Sequence, residues 1–74
     1  MNAAEAKARK MMAMRTTSQL LNDWDATEAA KYTPELPTVR GWIMDELEVR
    51  NPEAFIAWME DENPYASPRT YYTA

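Results

Sequence analysis

The 74-residue sequence contains no cysteine and no histidine. Without cysteine the chain can form neither a disulfide nor a thiolate zinc site. Without histidine it lacks the commonest general base and the commonest transition-metal ligand. Its single glycine excludes a glycine-rich loop that cradles phosphate groups. We therefore predict that the protein is not an enzyme, binds no metal, uses no cofactor and acts on no small-molecule substrate.

Long apolar runs are also missing. No run approaches the roughly 20 residues of a transmembrane helix, and no signal-peptide core is visible. We therefore expect no membrane partner and a cytoplasmic location. The formal net charge of −4 is distributed unevenly, because residues 1–15 carry +3 and the remainder carries −7. An acidic body with a basic arm is typical of a chain with an interaction tail.

The aromatic and methionine content is high for so short a chain, with three tryptophans, four tyrosines and six methionines. A chain of this length buries only about 60% of the surface that its unfolded form exposes, so its stability should be marginal. These side chains are the material for a core, and we expect one or two of them to face a partner instead.

Four helices are predicted, over residues 3–15, 17–31, 34–50 and 52–62. Thr16 and Gln19 have the spacing of a capping box, and Asn51 followed by Pro52 is typical of a helix start. Thr33 should cap the third helix, with Thr38 as the alternative. The predicted fold is all-α: a small helical bundle of three body helices, with an N-terminal helix and an extended C-terminal tail.

The apolar residues of the three body helices recur at helical spacing and should face the core. They are Leu20, Leu21 and Trp24 in the second helix, Leu36, Val39, Ile43 and Leu47 in the third, and Phe55 and Met59 in the fourth, with Ile56 and Trp58 at the edges of this last face. Gly41 interrupts the third helix at a cost of roughly 0.5–1 kcal/mol. We expect a bulky neighbour such as Trp24 or Trp58 to approach its backbone.

Three regions follow from these predictions: a basic helical arm at residues 1–15, the bundle at 16–62 and a proline- and tyrosine-containing tail at 63–74. The arm is a loosely attached extension, a helix docked on the acidic body, or a contact to nucleic acid or another anionic surface. The basic groups for that last alternative are Lys7, Arg9, Lys10 and Arg15. The tail either stays extended and free or crosses the bundle as a strap held by its tyrosines.

Three runs carry a resemblance: residues 17–25 (TSQLLNDWD), 39–48 (VRGWIMDELE) and 50–58 (RNPEAFIAW). Across residues 16–62 the chain resembles small uncharacterised proteins of actinobacteria and their bacteriophages. The resemblance implies a protein that works inside a bacterial or infected host cell. It also implies binding to a host protein, and it assigns neither an activity nor any site residue.

The favoured function is therefore a non-enzymatic protein-binding module that contacts another protein or itself, for example a phage-encoded modulator of a host protein. The alternatives are a structural or assembly component of a phage particle, a nucleic-acid-associated factor that uses the basic arm, and an acidic mimic of nucleic acid. Five residues at the edges of the apolar stripes or in the tail are the predicted protein contacts: Trp42, Met44, Trp58, Tyr71 and Tyr72.

Overall fold

The computed structural model describes residues 2–72, which fold into four α-helices and one short 3-10 helix. The α-helices are α1 (Ala3–Met14), α2 (Thr17–Ala29), α3 (Leu36–Arg50) and α4 (Pro52–Met59), and the 3-10 helix covers Pro68–Thr70. This region contains no strand, so the all-α prediction is confirmed.

Helix α3 is the centre of the bundle, because α1, α2 and α4 all pack against it. The core joins buried side chains from three helices and the tail: Leu20, Leu21, Trp24, Ile43, Leu47, Ala54, Trp58 and Tyr72. The predicted core face of α2 is confirmed, and that of α3 is confirmed at Ile43 and Leu47, which are fully buried. Val39 packs half-buried against this core, whereas Leu36 is half-buried outside it. Burial of these apolar side chains is the main force that holds the helices together.

Two predicted helix starts are confirmed by their side-chain caps. The Gln19 amide donates to Oγ1 of Thr16 at 3.0 Å, and the Thr16 amide donates to the Gln19 side chain at 2.9 Å. The Ala54 amide donates to Oδ1 of Asn51 at 3.1 Å at the start of α4. Each bond satisfies a backbone donor that the helix itself leaves without a partner.

The start of α3 differs from the prediction. Neither Thr33 nor Thr38 caps the helix, which begins at Leu36 after Glu35 without a side-chain cap. The Leu36 amide instead donates to the Thr33 carbonyl at 3.1 Å and closes a turn over Pro34 and Glu35. Pro37 then falls in the first helical turn, where its missing N–H costs nothing.

Two helices end earlier than predicted. Helix α2 stops at Ala29, because Ala30 is already extended. Residues 31–33 stay outside helix, and Pro34 disfavours helix at the residue before it, Thr33. Helix α4 stops at Met59 rather than at residue 62. The Asp61 carboxylate accepts from the Asn63 amide at 2.8 Å, so this side chain competes with helical hydrogen bonding.

The inner face of α4 is also not the predicted one. Ala54 and Trp58 are buried and Phe55 is half-buried, whereas Met59 is 46% exposed. Residues 54 and 58 are four apart and therefore lie on the same side of the helix. The helix is rotated so that Trp58, and not Met59, enters the core, where its ring meets Trp24 edge-on at 5.0 Å between centroids.

The expected close approach at Gly41 is wrong. A Cβ placed on this residue would have no neighbour within 4 Å, neither Trp24 nor Trp58 among them. Both tryptophans are held elsewhere, since Trp24 packs against Trp58 and under the guanidinium of Arg40. The glycine therefore serves no packing purpose in the described part of the chain.

Replacing Gly41 with alanine should therefore stabilise the protein by about 0.5–1 kcal/mol, because alanine loses less backbone entropy in a helix. The melting temperature should rise by roughly 2–8 °C in a domain of this size, as measured by circular dichroism. Ala26→Gly, at an exposed position within α2, is the mirror control and should lower the melting temperature by a similar amount. A lower melting temperature for Gly41→Ala would contradict the open space at this site.

The N-terminal helix is docked on the body, as one of the three alternatives predicted. Met12 packs against the core, and the Arg9 guanidinium meets the Asp45 carboxylate at 2.8 Å. Arg50 of α3 donates to the carbonyls of Met12 and Ala13 at 3.2 and 3.3 Å. The Met12 carbonyl also accepts from the Arg15 amide at 3.1 Å, and the Ala13 carbonyl lies in the last turn of α1, where carbonyls lack a partner within the helix.

The tail crosses the bundle as a strap over residues 63–72. Pro68 is fully buried and Tyr72 is buried, with its hydroxyl donating to the Leu47 carbonyl at 2.7 Å. The Trp58 indole donates to the Ala66 carbonyl at 2.9 Å, and Arg69 pairs with Asp25 at 2.7 Å. The strap alternative is therefore the one that the structure shows, and the tail closes one side of the core.

Candidate functional site

Two of the five predicted contact residues are not available to a partner. Trp58 and Tyr72 are only 7% and 6% exposed, so the prediction that they lie on an open surface is wrong. Both rings belong to the buried core, where Trp58 packs against Trp24 and Tyr72 enters from the tail. Both also satisfy their polar atoms internally, the Trp58 indole on Ala66 and the Tyr72 hydroxyl on Leu47.

The other three predicted contacts are half-buried and do not come together. Met44 lies with Trp58 in a groove of about 250 Å³ bounded by α2, α3, α4 and the tail. Trp42 lies in a separate groove of about 160 Å³ between α1 and α3. Tyr71 packs against the core and donates its hydroxyl to the Asp61 carboxylate. The five residues therefore do not form a single surface.

A third groove, of about 390 Å³, separates the start of α2 from the strap. Arg50 and Arg69 line it together with Tyr72. Each guanidinium is already paired, Arg50 with Glu46 at 3.1 Å and Arg69 with Asp25. The groove therefore carries no clear surplus of positive charge for an anionic ligand.

The basic arm has fewer free charges than its composition indicates. Arg9 is held by Asp45 and Glu5, and Arg15 donates two hydrogen bonds to the Asp23 carboxylate at 2.6 and 2.9 Å. Lys7 and Lys10 are exposed, and within residues 2–72 neither forms an ion pair. The two arginines of the arm therefore form ion pairs with the body, and its two lysines are exposed to solvent.

The outer side of α4 is the most distinctive surface that the sequence did not indicate. Ile56 and Met59 are 54% and 46% exposed there, and Glu53 and Glu60 flank them along the helix. We call these four residues the α4 face. Beyond Glu60 the acidic charge continues through Asp61 and Glu62, and no basic residue occurs between positions 51 and 68.

Sequence periodicity could not find this face, because residues 54–59 (AFIAWM) are apolar without interruption. A helix that is apolar on every side gives no indication of which side packs inward. The one signal in the sequence that could have indicated an exposed apolar face was the excess of apolar residues in this helix. A surface helix normally turns a polar side to water, so an apolar residue at every position leaves some of them exposed.

Asp61, which follows Glu60 beside the α4 face, has a lowered pKa. The hydrogen bond from the Tyr71 hydroxyl, and then the one from the Asn63 amide, lower the pKa of Asp61. The same bond raises the pKa of Tyr71. The Asp61 carboxylate therefore stays charged to a lower pH than an unpaired aspartate would.

The buried hydroxyl of Tyr72 predicts an alkaline loss of stability. Burial raises its pKa to about 12, with the nearby Glu48 carboxylate adding to the rise. An unfolded tyrosine ionises near pH 10, so the contribution is complete below about pH 10 and is lost as the pH rises toward 12. We expect a loss on the order of 2 kcal/mol, measured by urea unfolding across this range.

Tyr72→Phe is the matched control, since it cannot ionise at this position. It should begin about 1 kcal/mol less stable at pH 8, because it lacks the hydroxyl bond to Leu47, and it should lose less stability above pH 10. Parallel alkaline decreases in both proteins would show that Tyr72 is not the group responsible.

Neither a cluster of metal ligands nor a membrane-spanning helix is found in the described residues. Between Asn2 and Tyr72, no three carboxylates gather where a metal ion could be held. The helices found there are too short or too polar to span a membrane.

Comparison with models of known protein families gives no match, and neither curated proteins nor solved structures give a significant one.

Proposed function

We propose that this chain is a non-enzymatic protein-binding module that docks its partner on the α4 face. The observation that carries the proposal is the half-exposed pair Ile56 and Met59 within an acidic border. Exposed apolar side chains grouped inside a polar rim are typical of interaction surfaces. The partner would offer an apolar patch bordered by lysine or arginine, because such a border complements the carboxylates of Glu53 and Glu60.

The setting that we propose follows from the resemblance over residues 16–62: the cytoplasm of a bacterium or of an infected host cell. There the module would occupy the surface of a host protein, or join copies of itself in a phage assembly. Binding by occupation needs no catalytic group, which agrees with a sequence that lacks histidine and cysteine.

Nucleic-acid binding is a weaker candidate on charge grounds. Affinity for a phosphate backbone depends on how many phosphates the protein neutralises. Arg9 and Arg15 are engaged with Asp45 and Asp23, which leaves Lys7 and Lys10 as the available groups of the arm. Two lysines beside a body of net charge −7 would give weak binding that is lost in moderate salt.

The proposal is tested by capture with matched variants. The tagged full-length chain, its Ile56→Glu variant and its Val49→Glu variant are used as baits in an actinobacterial lysate. Val49 is the control because it is also a β-branched residue exposed on a helix, but on α3. A protein retained by the wild type and by Val49→Glu, and lost with Ile56→Glu, is then purified and titrated by calorimetry.

We expect Ile56→Glu to weaken binding of that purified partner by about tenfold or more, and Val49→Glu by less than about twofold. Circular dichroism must show that both variants keep the helical content of the wild type. Equal binding by wild type and Ile56→Glu would place the contact elsewhere and overturn the proposal.

A further inference from the structure

The outward side of α1 is a second surface without a partner in the described chain. Lys7, Lys10, Met11 and Met14 are all exposed, and their spacing places them within about 100° of one another around the helix. Met11 and Met14 are 59% and 80% exposed. We call these four residues the α1 face. Met12 points the opposite way and packs against the core, so docking of α1 leaves this face open.

The α1 face and the α4 face are complementary. One carries two methionines with two lysines, and the other carries Ile56 and Met59 with two glutamates. Each set spans seven residue steps, from Lys7 to Met14 and from Glu53 to Glu60, which is about 10 Å along a helix. If the two helices meet antiparallel, Lys7 lies opposite Glu60 and Met11 lies opposite Ile56 in the same register, so one ion pair and one apolar contact can form together.

We propose that the partner of the α4 face is a second copy of this chain, docked through its α1 face. This inference rests on the proposed binding function of α4 and names the partner for it. Within one copy α1 and α4 both pack on α3, so their outer faces are open to contact with another molecule. The overall charge agrees with the pairing, because the first 15 residues carry +3 and the rest carries −7.

A contact between two different faces has consequences for the assembly. Two copies that make the contact reciprocally close as a two-fold dimer; otherwise one face of each kind stays unused at the ends, and copies add head to tail until a larger ring closes or an open chain forms. Helix α4 has only eight residues, so each contact is smaller than the 1,200–2,000 Å² typical of stable complexes. Association should therefore be reversible and dependent on concentration.

The first measurement is sedimentation equilibrium of the wild-type chain from about 10 μM to about 1 mM. The weight-average mass should rise above the 8.6 kDa of the monomer as the concentration rises, either to the mass of a closed assembly or without a plateau. Raising the salt from about 0.05 to about 0.5 M should lower the average mass, because the lysine–glutamate contacts are exposed and screened. A mass of 8.6 kDa at every concentration overturns the second-copy proposal but leaves the capture experiment to judge the α4 face independently.

The decisive measurement mixes two variants that each lose one face. Lys7→Glu with Lys10→Glu spoils the α1 face, and Ile56→Glu spoils the α4 face. Each variant alone should remain monomeric, while the mixture should form one-to-one pairs and nothing larger, because only one functional interface remains. Tyr32→Glu, at an exposed site between α2 and α3, should associate like the wild type.

Three results of these experiments would contradict the second-copy proposal. Continued growth of the lysine variant alone would mean that copies meet through another pair of surfaces, and the proposal would be wrong. A monomeric mixture would mean the same if circular dichroism shows both variants folded. Loss of association with Tyr32→Glu would also contradict it, since that residue belongs to neither face.

Discussion

Replacing Trp58 with alanine should lower the free energy of unfolding by about 3–5 kcal/mol, which is the usual cost of removing a large aromatic side chain from a core. Trp58 is the largest contribution of α4 to the core, and it meets both Trp24 and Phe55 edge-on, with centroids 5.0 and 6.0 Å apart. Its indole bond to Ala66 also anchors the strap. A domain of this size has only a few to about 10 kcal/mol to lose, so the variant should be partly unfolded at 25 °C.

Urea unfolding followed by circular dichroism measures this effect. Ile56→Ala is the control on the same helix, since its side chain is 54% exposed and alanine favours helix formation. It should change the free energy of unfolding by less than about 1 kcal/mol. A Trp58→Ala protein as stable as Ile56→Ala would mean that the core is not built around this ring.

A chain that ends at Ala66 should lose about 4 kcal/mol or more, because it lacks two buried side chains of the strap, Pro68 and Tyr72. It also lacks the pairing of Arg69 with Asp25, an exposed contact that adds little. An oxygen of the new terminal carboxylate on Ala66 can still accept from Trp58, so the loss reports the removed part of the strap, including the hydroxyl bonds of Tyr71 and Tyr72.

The truncated chain should melt well below the full chain in a calorimetric scan, with a smaller enthalpy of unfolding. Tyr65→Ser serves as a control within the tail, because Tyr65 is 86% exposed and its removal should change little. If the chain ending at Ala66 melted at the temperature of the full chain, the tail would not be part of the folded core.

Local sequence signals were sufficient where one side chain decides the backbone. The capping box at Thr16 and the Asn51 cap needed only neighbouring residues, and both are confirmed. The prediction for the start of α3 was wrong because Pro34 and Pro37 offered two positions for a helix start. The Thr33 carbonyl is satisfied by the Leu36 amide in a turn, so the helix begins after that turn. Backbone hydrogen bonds, which the residue spacing does not show, determined the first residue of α3.

The candidate site was harder to predict because it depends on which surplus apolar residues stay outside. The sequence showed more large side chains than one face of each helix can bury. It did not show that Tyr72 would return across 25 residues to the Leu47 carbonyl. With that ring and Trp58 inside the core, Ile56 and Met59 were left exposed on α4. Long-range packing therefore determined which apolar residues of α4 stay exposed.

The basic arm shows the same dependence on distant residues. Its composition indicated four cations for a partner, but Arg9 meets Asp45 across 36 residues of chain. Because Arg15 is likewise paired with Asp23, the arm presents lysines and methionines rather than arginines. Its proposed partner is accordingly an acidic apolar face and not a phosphate backbone.

The most direct test of α4 as the contact surface is an amide NMR spectrum of the labelled wild-type chain at about 50 μM and about 1 mM, concentrations that bracket the weak association expected of a small interface. The amide resonances that shift with concentration should belong to residues 7–14 and 53–60. Shifts confined to α2 and α3, or identical spectra at the two concentrations, would contradict association of this chain through α1 and α4.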